Sequence, residues 1–228
     1  MKVIAGHWET ALIDVDPDAV ICDIPYSRRT VDGYGSSPSS DGFAMRGIGD
    51  YDGWDLAEAE SFAVHWAARV RRWFVMFGSH DQVFGAGRRL EEISELYTFP
   101  PIVWIKSRPT PRLYADGPSM AAEFILVSRK RRRLDRAEKR HRPGAYLGDK
   151  VPTKQRHGIV GQKPLWLMRA VVRDYSEPGD LVVDPTAGTG STIVAALMEG
   201  RRAVGAEINP DRAALANERA RTRQNVLI

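Results

Sequence analysis

The stretch Asp184-Pro185-Thr186-Ala187-Gly188-Thr189-Gly190-Ser191-Thr192 constrains this chain more than any other. An apolar run at 181–183 enters it and an apolar pattern over 193–198 leaves it, which reads as strand, small-residue turn and helix. A turn of Gly, Ala, Ser and Thr lets backbone N–H groups approach a ligand closely. The helix start adds unpaired donors and the positive end of its dipole. A nucleotide-like ligand is therefore expected, with a ligand-free tight turn as the alternative. The third glycine of the dinucleotide fingerprint is missing, and Ser191 rather than lysine follows Gly190, which argues against a phosphate-binding loop of the NTPase kind.

The flanking sequence supplies further strands. The apolar run 19–22 reads as a buried parallel strand and delivers Asp23-Ile24-Pro25-Tyr26 at its carboxyl end, where open parallel sheets bind ligands. Residues 28–53, rich in Gly, Ser and Asp, have no hydrophobic period and read as a long flexible loop. Leu56, Ala59, Phe62, Ala63, Trp66, Ala67 and Val70 fall on one helical face. Residues 73–77 form a second strand, closed by Gly78-Ser79-His80-Asp81, and a short helix is expected over 88–96. His80 and Asp81, just past a strand end, are further site candidates. Runs 102–106 and 124–128 are expected to pair as an antiparallel edge hairpin, and 143–158 looks irregular. Gln162-Lys163-Pro164 opens a helix to about 175, 203–206 is a short strand ending at Glu207, and 211–221 is an amphipathic helix. An acid about twenty positions past a glycine turn sits where Rossmann-type sites hold a ribose diol, which singles out Glu207.

With 228 residues, 43% of them hydrophobic, one domain with an insertion is expected. Charge is unevenly placed: residues 129–142 carry a net +7 of the chain's +4, leaving −3 elsewhere. A run this dense is either a solvated face or a surface for a phosphate backbone. The single cysteine, Cys22, excludes an internal disulfide, no zinc-type cluster appears, and no run approaches the ~20 apolar residues of a membrane helix. A cytoplasmic protein with no metal and no membrane association is expected.

Taken together these motifs resemble the S-adenosylmethionine-dependent DNA amino-methyltransferases of the N6-adenine/N4-cytosine type. The likeness is to the permuted class in which the catalytic motif precedes the cofactor motif. Asp23 to Tyr26 is similar to the family's Asp-Pro-Pro-Tyr, Lys163-Pro164 to its Lys-Pro helix start, the turn at 184–192 to its Asp-Pro-Phe-Ala-Gly-Ser-Gly-Thr-Thr, and Glu207 to its ribose-binding acid. Residues 123–127 resemble the strand that closes the family's sheet, so the likeness runs from about Gly6 to Ala220. Two positions depart: Ile24 replaces the first proline, and Thr186 replaces the usual aromatic, which should loosen packing around the cofactor.

The resemblance implies a Rossmann-like α/β methyltransferase fold, a mostly parallel twisted sheet with an antiparallel edge hairpin and helices on both faces. It implies one domain over 1–228, with a short basic target-recognition insertion at about 129–158. Asp23, Ile24, Pro25 and Tyr26 would be catalytic. Asp23, Lys163, Asp184, Thr186, Gly188, Gly190, Ser191, Glu207 and Asn209 would bind S-adenosylmethionine. Arg28, Arg29, Arg129, Lys130, Arg131, Arg132, Arg133, Arg136, Lys139 and Arg140 would contact double-stranded DNA. The acceptor leans to adenine N6, with cytosine N4, an RNA or protein amino group, or a non-catalytic nucleic-acid-binding regulator as alternatives, and a homodimer is compatible.

Overall fold

The computed structural model describes residues 2–28, 53–110, 118–133, 139–150 and 162–224. In chain order its elements are β1 (Lys2–Ala5), α1 (Trp8–Ala11), β2 (Ala19–Asp23), α2 (Leu56–Arg69), β3 (Trp73–Gly78) and α3 (His80–Glu91). β4 (Leu96–Thr98), β5 (Ile102–Thr110), β6 (Met120–Lys130), β7 (Ala145–Leu147), α4 (Leu165–Tyr175), β8 (Leu181–Asp184), α5 (Ser191–Met198), β9 (Arg202–Glu207) and α6 (Pro210–Gln224) follow.

The strands form one sheet ordered β1-β9-β8-β2-β3-β6-β5-β7, with β4 also paired to β6. From β1 to β3 every pairing is parallel. β6 runs antiparallel to β3, β4 and β5, and β7 lies parallel outside β5. This is the expected Rossmann-like arrangement, and the antiparallel pair 102–106 with 124–128 is present as β5 and β6. Alternation along each central strand feeds two cores. Ile21, Val75 and Phe77 pack on one side with α4, α5 and α6, while Val20, Cys22, Phe74 and Met76 pack on the other with α2 and α3. Strands buried on both faces carry apolar residues at every position, which is why the period-2 signal is absent from Trp73-Phe74-Val75-Met76-Phe77.

Two local expectations are corrected, and one strand for which nothing was expected is added. The helix expected over 88–96 starts earlier, at His80, because Gln82 takes the Ser79 N–H at 3.1 Å and its hydroxyl at 2.6 Å, which caps the helix there. Leu96 instead opens β4. The stretch 143–158 is not wholly irregular, since Ala145–Leu147 pairs with β5. The N-terminal Lys2–Ala5 is a strand, set against β9 with Ala5 opposite Glu207. The loop expected over 28–53 lies outside the described residues except at its two ends. Among the described residues no helix is long and apolar enough to cross a membrane.

The carboxyl ends of β2, β8 and β9 lie side by side, bringing Asp23, Asp184 and Glu207 to one edge. Close packing behind that edge depends on Gly190, which has φ +78° and would bring a Cβ within 2.8 Å of the Ala216 Cβ on α6. Gly190→Ala is expected to destabilise the fold by roughly 2–4 kcal/mol, the sum of left-handed strain and overpacking. Urea unfolding of the variant beside the native chain checks it.

Candidate active site

At that edge opens a cavity of about 410 Å³, within the usual size range of small-molecule sites. Its two ends are built differently.

One end is the turn after β2. Lys163 precedes α4 and is only 4% exposed, yet its ammonium is fully used. Nζ lies 2.5 Å from Asp23 Oδ2, 3.1 Å from the Tyr26 hydroxyl and 3.2 Å from Glu123 Oε2. Glu123 Oε1 takes a second cation, Lys106, at 2.7 Å, and Tyr26 donates its hydroxyl to Glu123 Oε2 at 3.1 Å. Two ammonium groups thus face two carboxylates around a phenol. Burial alone would neutralise Lys163, but Asp23 and Glu123 outweigh it and hold its pKa well above the usual lysine value. Burial likewise pushes Glu123 up, and Lys163 with Lys106 overcomes this to bring it to about 2. For Asp23, burial with the neighbouring Glu123 charge prevails over Lys163, and the pKa is raised. Burial, then the Glu123 charge, pushes the Tyr26 phenol far up, so it stays a donor.

The backbone of this turn is held too. Ile24 N–H donates to Phe77 O at 3.1 Å. Thr186 Oγ1 donates to Asp23 O at 3.0 Å, and Gln82 Nε2 donates to Pro25 O at 3.0 Å and Trp54 O at 3.1 Å. Asp23 Oδ1 is buried without a hydrogen-bond partner, and among the described residues nothing donates to the Ile24 carbonyl. Both residues line the cavity, so two acceptors without partners stand beside it.

The other end is the glycine turn. Gly188 has φ +52°, and a Cβ there would meet nothing within 4 Å, so the missing side chain leaves open space. Glu207 accepts from Gly188 N at 2.9 Å and Asn209 N at 2.9 Å, one oxygen each, which ties the end of β9 to the turn. Asp184 accepts from Thr186 N at 3.1 Å. Burial, reinforced by the charges of Asp23 and Glu207, lifts its pKa to about 7 against the lowering bonds from Thr192 and Thr186. Ser191 and Thr192, at the start of α5, also line the cavity.

The sequence-derived residues are thus brought together with three exceptions. Lys163 lies at the Asp23 end, with all three ammonium donors spent, rather than among the glycine-turn contacts. Gly190 does not line the cavity and serves as the left-handed residue before α5. Asn209 does not line it either: its Oδ1 caps α6 by accepting from Asp211 N at 3.0 Å and Arg212 N at 3.1 Å. His80 and Asp81 begin α3 and lie outside the cavity.

The basic run is placed elsewhere. Arg129 pairs with Trp73 and Lys130 with Leu96, at the opposite end of the sheet from Asp23. The Arg129 guanidinium lies over the rings of Trp73, Tyr97 and Phe99, and Arg131 Nε donates to Leu96 O at 2.7 Å. Arg140 reaches the α4 carboxyl terminus, donating to Arg173 O at 2.6 Å and Ser176 O at 3.2 Å. Arg132, Arg133 and Lys139 are exposed within the same stretch. Arg28, by contrast, stands beside Tyr26 and donates to Gly53 O at 3.0 Å. Arg29 and Arg136 lie outside the described residues. Sequence reasoning missed Lys106, Glu123 and Gln82 as site residues. The available signal was a charge at the end of each apolar strand run, 102–106 and 123–127.

A family pattern described as DNA methylase (N6_N4_Mtase) matches residues 18–218, which includes both ends of the cavity. The chain belongs to this family. Among curated proteins it is similar to the type II methyltransferase M2.MboI of Moraxella bovis, 24% identical over 180 residues, 68% of this chain and 64% of that protein. The chain spans less than two thirds of the length of the first curated relatives it matches. Its fold is shared with the M1.HpyAVI–SAM complex (TM-score 0.67, 22% identity, covering 96% of this chain and 98% of that one). It is shared too with the cytosine-N4-specific PvuII DNA methyltransferase (TM-score 0.66, 15% identity, 98% and 90%).

The raised pKa of Asp184 has a thermodynamic consequence. A carboxyl whose folded value lies above its unfolded one stabilises the fold below the unfolded pKa, and that stabilisation is lost as pH rises towards the folded value of about 7. Between pH 4 and 7 the native chain is therefore expected to lose stability relative to Asp184→Asn. Urea midpoints for the two proteins across that range test it, and parallel pH profiles would contradict it.

Proposed function

We propose that the chain transfers a methyl group from S-adenosylmethionine to an exocyclic amino group of a DNA base, adenine N6 before cytosine N4. The observation that carries this is the pair of unpartnered acceptors, Asp23 Oδ1 and the Ile24 carbonyl, at the end of a cavity whose other end is a glycine turn buttressed by Glu207.

An amino group conjugated to a base ring is a poor nucleophile because its lone pair is delocalised. Two acceptors aimed at its two N–H groups pull that lone pair out of conjugation. Asp23 Oδ1 and Ile24 O are two such acceptors, and the Lys163 bond to Oδ2 fixes which carboxylate oxygen is presented. Tyr26, its hydroxyl tied to Glu123 and Lys163, offers a ring whose orientation is set before any base arrives. Asp23 Oδ1 is also placed to take up the proton that the amino nitrogen sheds on methylation. Bound S-adenosylmethionine supplies an electrophilic sulfonium methyl, so positioning accounts for much of the acceleration. A base in duplex DNA must be flipped out to reach the cavity, at a cost of a few kcal/mol.

The residues fit the cofactor. The open space at Gly188 suits the nucleoside, and the Glu207 carboxylate suits its ribose hydroxyls. Membership of the DNA methylase family and the fold shared with a protein solved with SAM support this choice. The acid at the head of Asp23-Ile24-Pro25-Tyr26 favours adenine by resemblance, and the likeness to the cytosine-N4-specific PvuII enzyme keeps N4 as the second reading. One continuous sheet through the described residues supports reading them as a single methyltransferase domain.

Asp23→Ala is expected to lower methyl transfer at least about 100-fold, on the scale of a lost acid–base group. Its dissociation constant for S-adenosylmethionine should stay within about threefold. Methyl-labelled cofactor with duplex DNA, followed by digestion to nucleosides, identifies the acceptor base and measures the loss. Full turnover in the variant would remove Asp23 from the chemistry.

A further inference from the structure

The acceptor turn has three consecutive carbonyls, and the structure treats them unequally. Asp23 O receives the Thr186 hydroxyl at 3.0 Å and Pro25 O receives the Gln82 amide at 3.0 Å. The Ile24 carbonyl between them receives nothing among the described residues. Both donors come from outside the turn. Gln82 stands in the first turn of α3, fully buried, with its Oε1 locked by the Ser79 N–H and hydroxyl, so its amide can only point at Pro25 and Trp54. Thr186 stands in the glycine turn itself, two residues past β8, where its own N–H is pinned to Asp184 Oδ1 at 3.1 Å.

We infer that Thr186 is a positioning residue that fastens the methyl-donor turn to the acceptor turn, with Gln82 bracing the opposite side. The inference rests on the methyl-transfer reading. Thr186 stands where the family resemblance has an aromatic, and the position was expected to be one of loosened packing. Its hydroxyl is instead a direct hydrogen bond between two turns 163 residues apart in sequence. In-line transfer depends on the distance between sulfonium methyl and amino nitrogen, and these two turns carry the two reactants. A misplacement of about 1 Å can cost about a hundredfold in rate. A bond from the donor turn to the residue bearing the catalytic carboxylate constrains that distance directly. Because Thr186 spends its hydroxyl donor on the Asp23 carbonyl, it acts on the acceptor through Asp23.

The experiment uses the full chain with Thr186→Val, which keeps the shape and removes the donor, and Thr186→Ser, which restores it. Three quantities are read: the cofactor dissociation constant by calorimetry, the single-turnover rate of methyl transfer to duplex DNA, and amide exchange at Ile24 in the cofactor-free protein. Thr186→Val is expected to slow single turnover about tenfold or more, speed exchange at Ile24, and leave the dissociation constant within about twofold. Thr186→Ser should recover both rates. An unchanged single-turnover rate in Thr186→Val, or a loss explained wholly by weaker cofactor binding, would overturn the inference while leaving the methyl-transfer reading intact. A slow Thr186→Ser would also overturn it, since volume rather than the hydroxyl would then matter. An inert native chain would overturn the methyl-transfer reading, and this inference with it.

Discussion

A buried ammonium needs compensation, and in this chain that requirement organises the acceptor end of the site. Moving Lys163 out of water costs several kcal/mol unless carboxylates accompany it. Asp23 comes from the end of β2 and Glu123 from β6, with β3 between them in the sheet. Lys106 then balances Glu123 from β5. The cluster therefore ties together the start of α4, the turn after β2 and two antiparallel strands. It also determines which atoms remain for chemistry. Once Lys163 has taken Asp23 Oδ2 and the Tyr26 hydroxyl has been claimed from two sides, Oδ1 is the one carboxylate oxygen of Asp23 left without a partner.

The donor end follows a different rule, in which backbone rather than side-chain charge sets the geometry. Glu207 spends one oxygen on Gly188 N and the other on Asn209 N, so its carboxylate acts first as a brace for the glycine turn. Parallel order puts β9, β8 and β2 side by side, and among the described residues the two ends meet through Thr186 rather than through an ion pair. Rigid charge on one side and rigid backbone on the other leave little to rearrange when two ligands come together. That is the condition under which positioning contributes most to a direct displacement.

The strand-end acids that line the cavity were legible in the sequence because each sits at the carboxyl end of an apolar run that announces its strand. Asp23 follows Ala19-Val20-Ile21-Cys22, Asp184 follows Leu181-Val182-Val183, and Glu207 follows Ala203-Val204-Gly205-Ala206. Their mutual placement then needs only the parallel order. Gln82 was not legible, and the charges ending the runs at Lys106 and Glu123 did not show what they pair with, because the importance of all three lies in long-range pairing. Glu123 meets Lys163 across 40 residues of sequence, and Gln82 reaches a carbonyl 57 positions away. The start of α3 was misplaced for a related reason: its cap depends on Gln82, whose side chain also serves the site. Thr186 was read as a departure from a pattern, and spacing alone carries no sign of the carbonyl its hydroxyl would find.

The basic run shows how composition can report an amount of charge without its direction. Nine Lys and Arg residues between 129 and 142 suggest a polyanion, yet β6 carries the run away from the cavity. From Phe124, opposite Gly78, to Arg129, opposite Trp73, the strand advances five residues, roughly 17 Å. Arg129 is accordingly not among the charges that act on Asp23, which are Lys163, Glu123 and Lys106. Its neighbours also have local tasks. Arg131 and Arg140 satisfy backbone carbonyls, and Arg140 does so at the negative end of the α4 dipole, where a cation is favoured. An exposed cation beside the acceptor turn is Arg28, one residue past the Ser27–Trp54 bridge. Under the proposed methyl transfer to DNA, charge at Arg28 therefore lies nearer the acceptor turn than charge at the opposite end of the sheet.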